Sequence, residues 1–419
     1  MIQASDVKLF DRLVYRQNGM KLRIVGIEHD ATRSVFWGID DTGCSQRLTG
    51  VQATASDWAM DTDDGLLSRG DPARILGCLL AGAAGDALGA AVEFMDWPAI
   101  QRQFGQYGIR AMATAYGRRG AVTDDTQMML FTAEGLVRAT VRGEARGGCH
   151  PPSVVHHALL RWLVTQGHVT ATEVGQDGWL IGESRLWSRR APGNTCLSAL
   201  SQSKRFGELA DNDSKGCGGV MRIAPCAFFS DAFDVARETA HYSHGHPTGH
   251  MAAGLFADIL QRIWVAQLSL DDACISALEE HGGKRGMEDT RRLIEYVLRL
   301  YRLGVRPTPE GIAELGAGWV ADEALAIGLW CALCAECLED GIVMAVNHSG
   351  DSDSTGLIAG NLLGLIHGPG AIPDHWLEDL ELRDVITQVA ADISWVPVVY
   401  DADDSESVSK DIWMRYPGW

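Results

Sequence analysis

Two acidic clusters, far apart in the chain, hold the residues best suited to chemistry: Thr123-Asp124-Asp125-Thr126 and Asp351-Ser352-Asp353-Ser354-Thr355. Each gathers hard oxygen donors and leads into an apolar, helix-like stretch. Four carboxylates brought together repel one another unless a multivalent cation neutralises them, and such oxygens suit Mg²⁺, Mn²⁺ or Ca²⁺. Residues two apart on a helix point about 200° apart, so Asp351 and Asp353 converge only in a loop or at a helix start. Ser354 or Thr355 is a reasonable cap for the second helix, and Thr123 or Asp124 for the first. The bland reading is that both clusters are only caps and first-turn acids favoured by the helix dipole. That two such clusters precede long apolar helices weighs against it. A calcium loop of the EF-hand kind fails, because Leu362 stands at loop position 12, where a bidentate Glu is needed.

Other segments carry weaker signals. Gly82, Gly85 and Gly89 form a narrow stripe at helical spacing with Asp86 beside them. Each glycine costs a helix about 1 kcal/mol relative to Ala, so close approach of another helix or a ligand is expected there. Glu93 follows and could project to the same place. The loop Gly216-Cys217-Gly218-Gly219 could aim backbone N–H groups at phosphate oxygens, and Gly193-Asn194-Thr195 has the same character; either could equally be a plain turn. His241, His244, His246 and His250 are dense, but Gly245 and Pro247 break the alignment a zinc site wants. Hydrogen bonding to a ligand by one or two of them, or capping, is the better expectation. Cys331, Cys334 and Cys337 lack the fourth thiolate of an iron–sulfur run, and the segment reads as one helix with small core residues.

The elements that must position these groups divide in two. Residues 1–70 alternate β-branched and aromatic residues with Asn-Gly and Asp-Thr-Gly turns, which predicts a small β-rich module and an acidic linker. From Pro72 the apolar spacing turns helical, which predicts a compact multi-helix, all-α domain over 71–400 without a fixed repeat. Residues 401–419 read as a tail whose terminal aromatics dock back. The net charge of −19 argues against a nucleic-acid partner. The longest apolar run, Ile75 to Val92, is mostly Gly and Ala and is interrupted by Asp86, so no membrane span is expected. With no recognisable leader, the ten cysteines are expected as free thiols in a cytoplasmic protein.

In order, GDALG (85–89), Glu93, TDDT (123–126), GNT (193–195), GCGGVMRIAP (216–225), SHGHP (243–247) and NHSGDSDSTG (347–356) resemble the ADP-ribosylglycohydrolase family over roughly residues 72–370. The resemblance implies an all-helical enzyme with two Mg²⁺ (or Mn²⁺) ions in a cleft, hydrolysing the bond between ADP-ribose and a modified protein side chain. It implies metal ligation by Thr123, Asp124, Asp125, Asp351, Asp353 and Ser354, where many members have Thr in place of Ser354 and Thr355 competes for the role. It matches Glu93 to a Glu near the distal ribose, with Glu93 or Asp125 relaying the proton. It places Gly216, Gly218, Gly219 and His244 along the ADP-ribose. HSGDSDSTG resembles the arginine-specific members more than those acting on serine or O-acetyl-ADP-ribose, so an ADP-ribosylated arginine is the expected substrate. The β module lies outside the family core. An immunity protein that reverses an ADP-ribosyltransferase toxin, and grips the toxin through residues 1–70, is one expectation; a binding protein with secondary catalysis is the alternative, and a bland stabilising appendage remains open.

Overall fold

The computed structural model describes residues 7–15, 20–29, 34–40, 45–49, 58–60, 71–401 and 412–418. Five strands, β1 (Arg12–Tyr15), β2 (Lys21–His29), β3 (Ser34–Asp40), β4 (Ser45–Thr49) and β5 (Trp58–Met60), form one antiparallel sheet in the order β4-β3-β2-β1-β5. Period-two alternation gives the sheet two apolar faces. Leu13, Leu22, Ile24, Phe36 and Trp58 make a small core on one face, while Val35 and Trp37 turn to the helical body. The β2–β3 register slips between Ile24 and Gly26, so Val25 is an extra residue. Gly26 abuts the indole of Trp395, leaving no room for a Cβ.

The rest is helical. The chain enters α1 (Pro72–Gly89) through Asp71, whose carboxylate accepts from the Ala73 amide and also pairs with Arg23 of β2. Then follow α2 (Trp97–Phe104), a two-stranded hairpin (Thr114–Ala115 with Arg118–Arg119), α3 (Asp124–Arg146), α4 (Pro151–Thr165), α5 (Asn194–Gln202), α6 (Ala232–His241), α7 (Pro247–Val265), α8 (Leu270–His281), α9 (Glu288–Arg302), α10 (Pro309–Ala313), α11 (Ala321–Cys334), α12 (Leu338–Val346), α13 (Ser352–His367), α14 (Asp374–Asp379) and α15 (Arg383–Asp401). The architecture is all-α with a small β module, as the sequence pattern predicts. The cysteine-rich stretch, expected as one helix, is two: α11 ends at Cys334, and Cys337 precedes α12 in extended backbone. Residues 412–418 return to the helices, with Ile412 and Tyr416 fully buried and the Tyr416 hydroxyl donating to Asp392. The DADDSESVSK stretch after Asp401 lies outside the described residues. Among those described, no helix is long and apolar enough to cross a membrane.

The pair α1–α13 fixes the site. Every residue of α1 is buried, and it packs backbone to backbone on α13. A Cβ on Gly85 would strike the Gly356 carbonyl, and one on Gly356 would strike the carbonyl of Gly85. One turn on, Gly89 lies against the Ser352–Asp353 peptide. The glycine stripe therefore serves helix approach, and that approach carries Asp86 of α1 up to the acidic start of α13.

Candidate functional site

Both acidic clusters are helix starts. Thr123 caps α3: its hydroxyl accepts the Asp125 amide at 3.2 Å. Its own amide donates to both carboxylate oxygens of Asp86 at 3.1 Å. Asp86 also accepts the amide and hydroxyl of Thr126. The one acid of α1 thus sets the position and direction of α3. At the second cluster the cap residue is Asp351, with α13 starting at Ser352; the expectation of Ser354 or Thr355 as the cap is corrected. Thr355 is spent inside the helix, its hydroxyl lying 2.8 Å from the carbonyls of Ala345 and Asp351 and 3.0 Å from His348 Nε2. Ser354 instead faces the other cluster and donates to Asp125 Oδ2 at 2.7 Å. Of the two hydroxyls left open by the sequence, only Ser354 reaches the acids.

Glu93 arrives on the turn after α1, where its amide bonds to the Gly89 carbonyl at 3.0 Å. Glu93, Asp351 and Asp353 can each bring a carboxylate oxygen within 4.8 Å of the others. Together with Asp124, Asp125 and Ser354 they line one cavity of about 210 Å³. At ~30 Å³ per water, that is a polar hollow and not a packing defect. Gly216, Gly218 and His244 line it as well, with Gly193, Asn194, Thr195, Cys217 and Trp319. Two of the residues singled out from sequence stand back from it. Thr123 is fully buried as the cap of α3, and Gly219 packs against the Gly249 carbonyl and Ala240.

Around the hollow, buried pairs hold its walls. Arg222 donates to the Gly218 carbonyl, the Thr239 carbonyl and Ser243 Oγ, and Ser243 meets His244 Nδ1 at 2.8 Å. Burial, with Arg222 nearby, pushes the His244 imidazole down to about 3, so it is neutral at ordinary pH. Glu381 pairs with Arg118 and Arg190 and accepts the Val122 amide, bracing the approach to Thr123. The remaining histidines scatter: His246 caps α7, and His241 stacks on His250.

Among the described residues no Lys or Arg forms an ion pair with Glu93, Asp86, Asp124, Asp125, Asp351 or Asp353. Burial followed by the charge of Asp353 pushes Asp124, Asp125 and Asp351 well above the usual carboxylate range. The same two causes push Glu93 up to about 11 and Asp86 up to about 7. Glu93 Oε2 is buried without a hydrogen-bond partner. A buried carboxylate left so is costly unless a counter-charge is supplied. The donor set is oxygen throughout and fits a hard divalent cation.

The fold and this cluster define a hydrolase of the glycosidic bond of ADP-ribose. Residues 68–404 match the ADP-ribosylglycohydrolase family, and the chain belongs to it. It is 26% identical over 336 residues to the ADP-ribosyl-[dinitrogen reductase] glycohydrolase of Rhodospirillum rubrum, covering 76% of this chain and 95% of that one. It is 25% identical over 339 residues to the ADP-ribosylarginine hydrolase Tri1 of Pseudomonas putida, covering 76% and 77%. The human ADP-ribosylhydrolase ARH3 is 24% identical, with 75% and 92% covered. A solved ADP-ribosylglycohydrolase-related protein complex matches with a TM-score of 0.55 and 25% identity, over 78% of this chain and 98% of that one.

Sequence reasoning left out Asp86 as a site residue, although a lone acid in an apolar, glycine-striped helix is a visible signal. It named Cys217 only as part of its loop and not for its Sγ, which lies 2.7 Å from Asp351 Oδ2, and it missed Trp319, which the Gly316-Ala317-Gly318 run before it only faintly announces.

Proposed function

We propose that this hydrolase removes ADP-ribose from arginine side chains of proteins, using two Mg²⁺ (or Mn²⁺) ions held by Asp124, Asp125, Asp351, Asp353 and Ser354, with Thr123 supporting the first cluster. The observation that carries the reading is the convergence of Glu93 and four aspartates from three separate helix ends in one cavity without a cationic side chain. When bound, divalent ions supply charge neutralisation, Lewis-acid polarisation and a more acidic water. The chain's own residues do the rest. The Gly216–Gly218 loop and His244 line the wall on which the ADP-ribose lies. Ser354 and Asp125 are tied to each other and orient donors from both clusters. Glu93 or Asp125 takes the proton of the attacking water. Water adds at the anomeric carbon of the ribose, the bond to the guanidine nitrogen breaks, and that nitrogen leaves with a proton, giving ADP-ribose and arginine. The Pseudomonas relative, named for ADP-ribosylarginine, supports arginine as the acceptor.

Residues 1–70 enter the proposal as a partner-binding surface, an ADP-ribosyltransferase toxin being one such partner. Arg23 anchors the module at the start of α1, fifteen residues and about 22 Å along the helix axis from Asp86; that position favours a partner surface over a lid. A cytoplasmic setting is part of the same reading.

The test is turnover of an ADP-ribosyl-arginine peptide by chelator-treated protein before and after Mg²⁺ or Mn²⁺ is restored, beside a matched ADP-ribosyl-serine peptide. Activity that returns with the metal and prefers arginine is expected. Full activity after exhaustive chelation overturns the metal assignment, and turnover of serine alone overturns the acceptor.

A further inference from the structure

At the rim of the acidic hollow two large aromatic side chains stand in solvent. Phe94 is 73% exposed and Trp319 is 43% exposed. Their rings are nearly parallel, 18° apart in plane, with centroids 6.0 Å apart. Isolated exposed aromatics need no explanation, but these are held there by the same backbone that builds the site. Phe94 is the neighbour of Glu93 on the turn after α1. Trp319 ends a loop pinned from three sides. The Trp319 carbonyl accepts the Cys217 amide at 3.1 Å, and the Ala317 carbonyl accepts the Asp351 amide at 2.8 Å. The Glu323 carboxylate takes the amides of Ala317 and Gly318 at 3.1 and 3.3 Å. Gly318 lies against Asp351 and Thr355, at a φ of +81° that favours glycine. A loop so fixed could bury its indole; it presents it at the mouth instead, where Trp319 also lines the cavity with Glu93 and Asp351.

We infer that Phe94 and Trp319 form the acceptor subsite, an aromatic wall on which the guanidinium of the modified arginine lies as it meets the carboxylates. The inference rests on the arginine reading above and gives it a recognition element. Guanidinium planes stack on aromatic faces and are attracted by their quadrupole. The acids behind the wall add attraction for a cation and none for a neutral hydroxyl acceptor. The wall also adjoins Glu93, one of the two residues proposed to handle the proton next to the bond that breaks. An acceptor presented by a large protein must be met at an open rim, and Phe94 and Trp319 stand there with solvent access.

The experiment compares Phe94→Ala, Trp319→Ala and the conservative Trp319→Phe on matched peptides carrying ADP-ribosyl-arginine or ADP-ribosyl-serine, together with the Kd of free ADP-ribose. For the arginine peptide, KM rises roughly 2- to 30-fold in each Ala variant, the range of a cation–aromatic contact. KM for the serine peptide and the Kd of ADP-ribose stay within about twofold, and Trp319→Phe recovers most of the loss. A melting curve with Mg²⁺ shows that each variant is folded. An equal rise on both peptides, no rise on arginine, or weaker binding of free ADP-ribose overturns the acceptor subsite while leaving the arginine activity intact; the last result makes the pair a stacking surface for the nucleotide. Wild-type protein inert on the arginine peptide but active on serine overturns both readings at once.

Discussion

Helix α3 carries two sets of buried charge that were built on opposite terms. Three turns in, Glu134 is fully buried but compensated: Arg161 lies at 3.0 Å and Arg138 at 3.5 Å, both guanidinium groups also fully buried, and Arg138 reaches Asp177 at 2.9 Å. At the helix start Asp124 and Asp125 are nearly as buried, yet they face Asp351, Asp353 and Glu93 with no cation from the chain. The same helix therefore shows what burial of charge looks like when structure is served and when a ligand is awaited. In the first case the protein supplies the counter-charge. In the second it supplies oxygens, a capping network through Asp86 and a cavity.

Breaking each set should give opposite results, and this is the largest effect expected. Glu134→Ala strands the buried Arg161 guanidinium, while Arg138 keeps Asp177, and is expected to lower stability by about 3–5 kcal/mol, in the presence or absence of divalent ions. Asp353→Asn removes the charge that raises the acid pKa of most of its neighbours. Chelated Asp353→Asn protein is expected to be at least as stable as chelated wild type, while kcat/KM with Mg²⁺ falls by at least about 100-fold, the upper end of what loss of a supporting ligand contact costs. Denaturant melts of both variants with and without Mg²⁺, beside their kinetics, check the contrast. A chelated Asp353→Asn protein that melts like Glu134→Ala would mean that the aspartates are structural.

The second expectation concerns pH and is smaller. Asp86 rises from 3.8 to about 7 and Glu93 from 4.5 to about 11. An acid whose pKa is raised by folding stabilises the protein fully below its unfolded value and loses that contribution as pH climbs through the folded one. Metal-free protein should therefore weaken from about pH 4 to about pH 7 through Asp86 and on towards about pH 11 through Glu93, with Asp86 alone contributing on the order of a few kcal/mol at ~1.4 kcal/mol per unit. A divalent cation competes with those protons, so the melting-temperature gain from Mg²⁺ should grow steadily as pH rises from about 5. The Glu134 set holds its own arginine cations and offers Mg²⁺ no charge to neutralise. A Mg²⁺ gain that is flat or falls with pH would detach the cation from the raised acids.

Much of this contrast was legible in the sequence, and unevenly so. The two Asp clusters announce themselves because helix starts are local: caps, first-turn acids and the apolar run behind them lie within a few residues. The glycine stripe of α1 announced a close approach for the same reason, since the unfavourable helix propensity of Gly82, Gly85 and Gly89 needs a tertiary cause. What met that approach, the Gly356 backbone of α13, is 271 positions away and left no local mark. Asp86 was seen beside the stripe, but its task depends on the amides of Thr123 and Thr126, which no spacing rule connects to it. The choice of Ser354 over Thr355 is a matter of helix phase: the residue one step further turns its hydroxyl back into the helix. Trp319 escaped notice because an exposed tryptophan after a glycine-rich loop looks like any loop aromatic until its backbone bonds to Cys217 and, through Ala317, to Asp351 are visible. The β module carries a bulge at Val25, and the Gly26 beside it lies against Trp395 on α15, a contact far away in sequence.

The smallest effect tests the two ends of α1 against each other. At its start Arg23 of the β module holds both oxygens of Asp71 at 3.1 and 3.0 Å and also donates to the Phe10 carbonyl at 2.8 Å, while Asp71 caps the helix. At its end Asp86 sets the acid site. Arg23→Ala leaves the cap in place, because the Asp71 to Ala73 bond does not involve Arg23, but removes charge-assisted bonds worth about 1.5–3 kcal/mol when partly buried. The expected outcome is a loss of that order in stability, with kcat/KM on ADP-ribosyl-arginine within about twofold of wild type, since α1 is locked against α13 along its whole length and a disturbance at Asp71 has no second arrangement to propagate through. Melting curves and steady-state kinetics on the one variant separate the outcomes. A fall in kcat comparable to the substitution at Asp353 would mean that the β module tunes the acid site through α1, and the module would then belong to the catalytic unit.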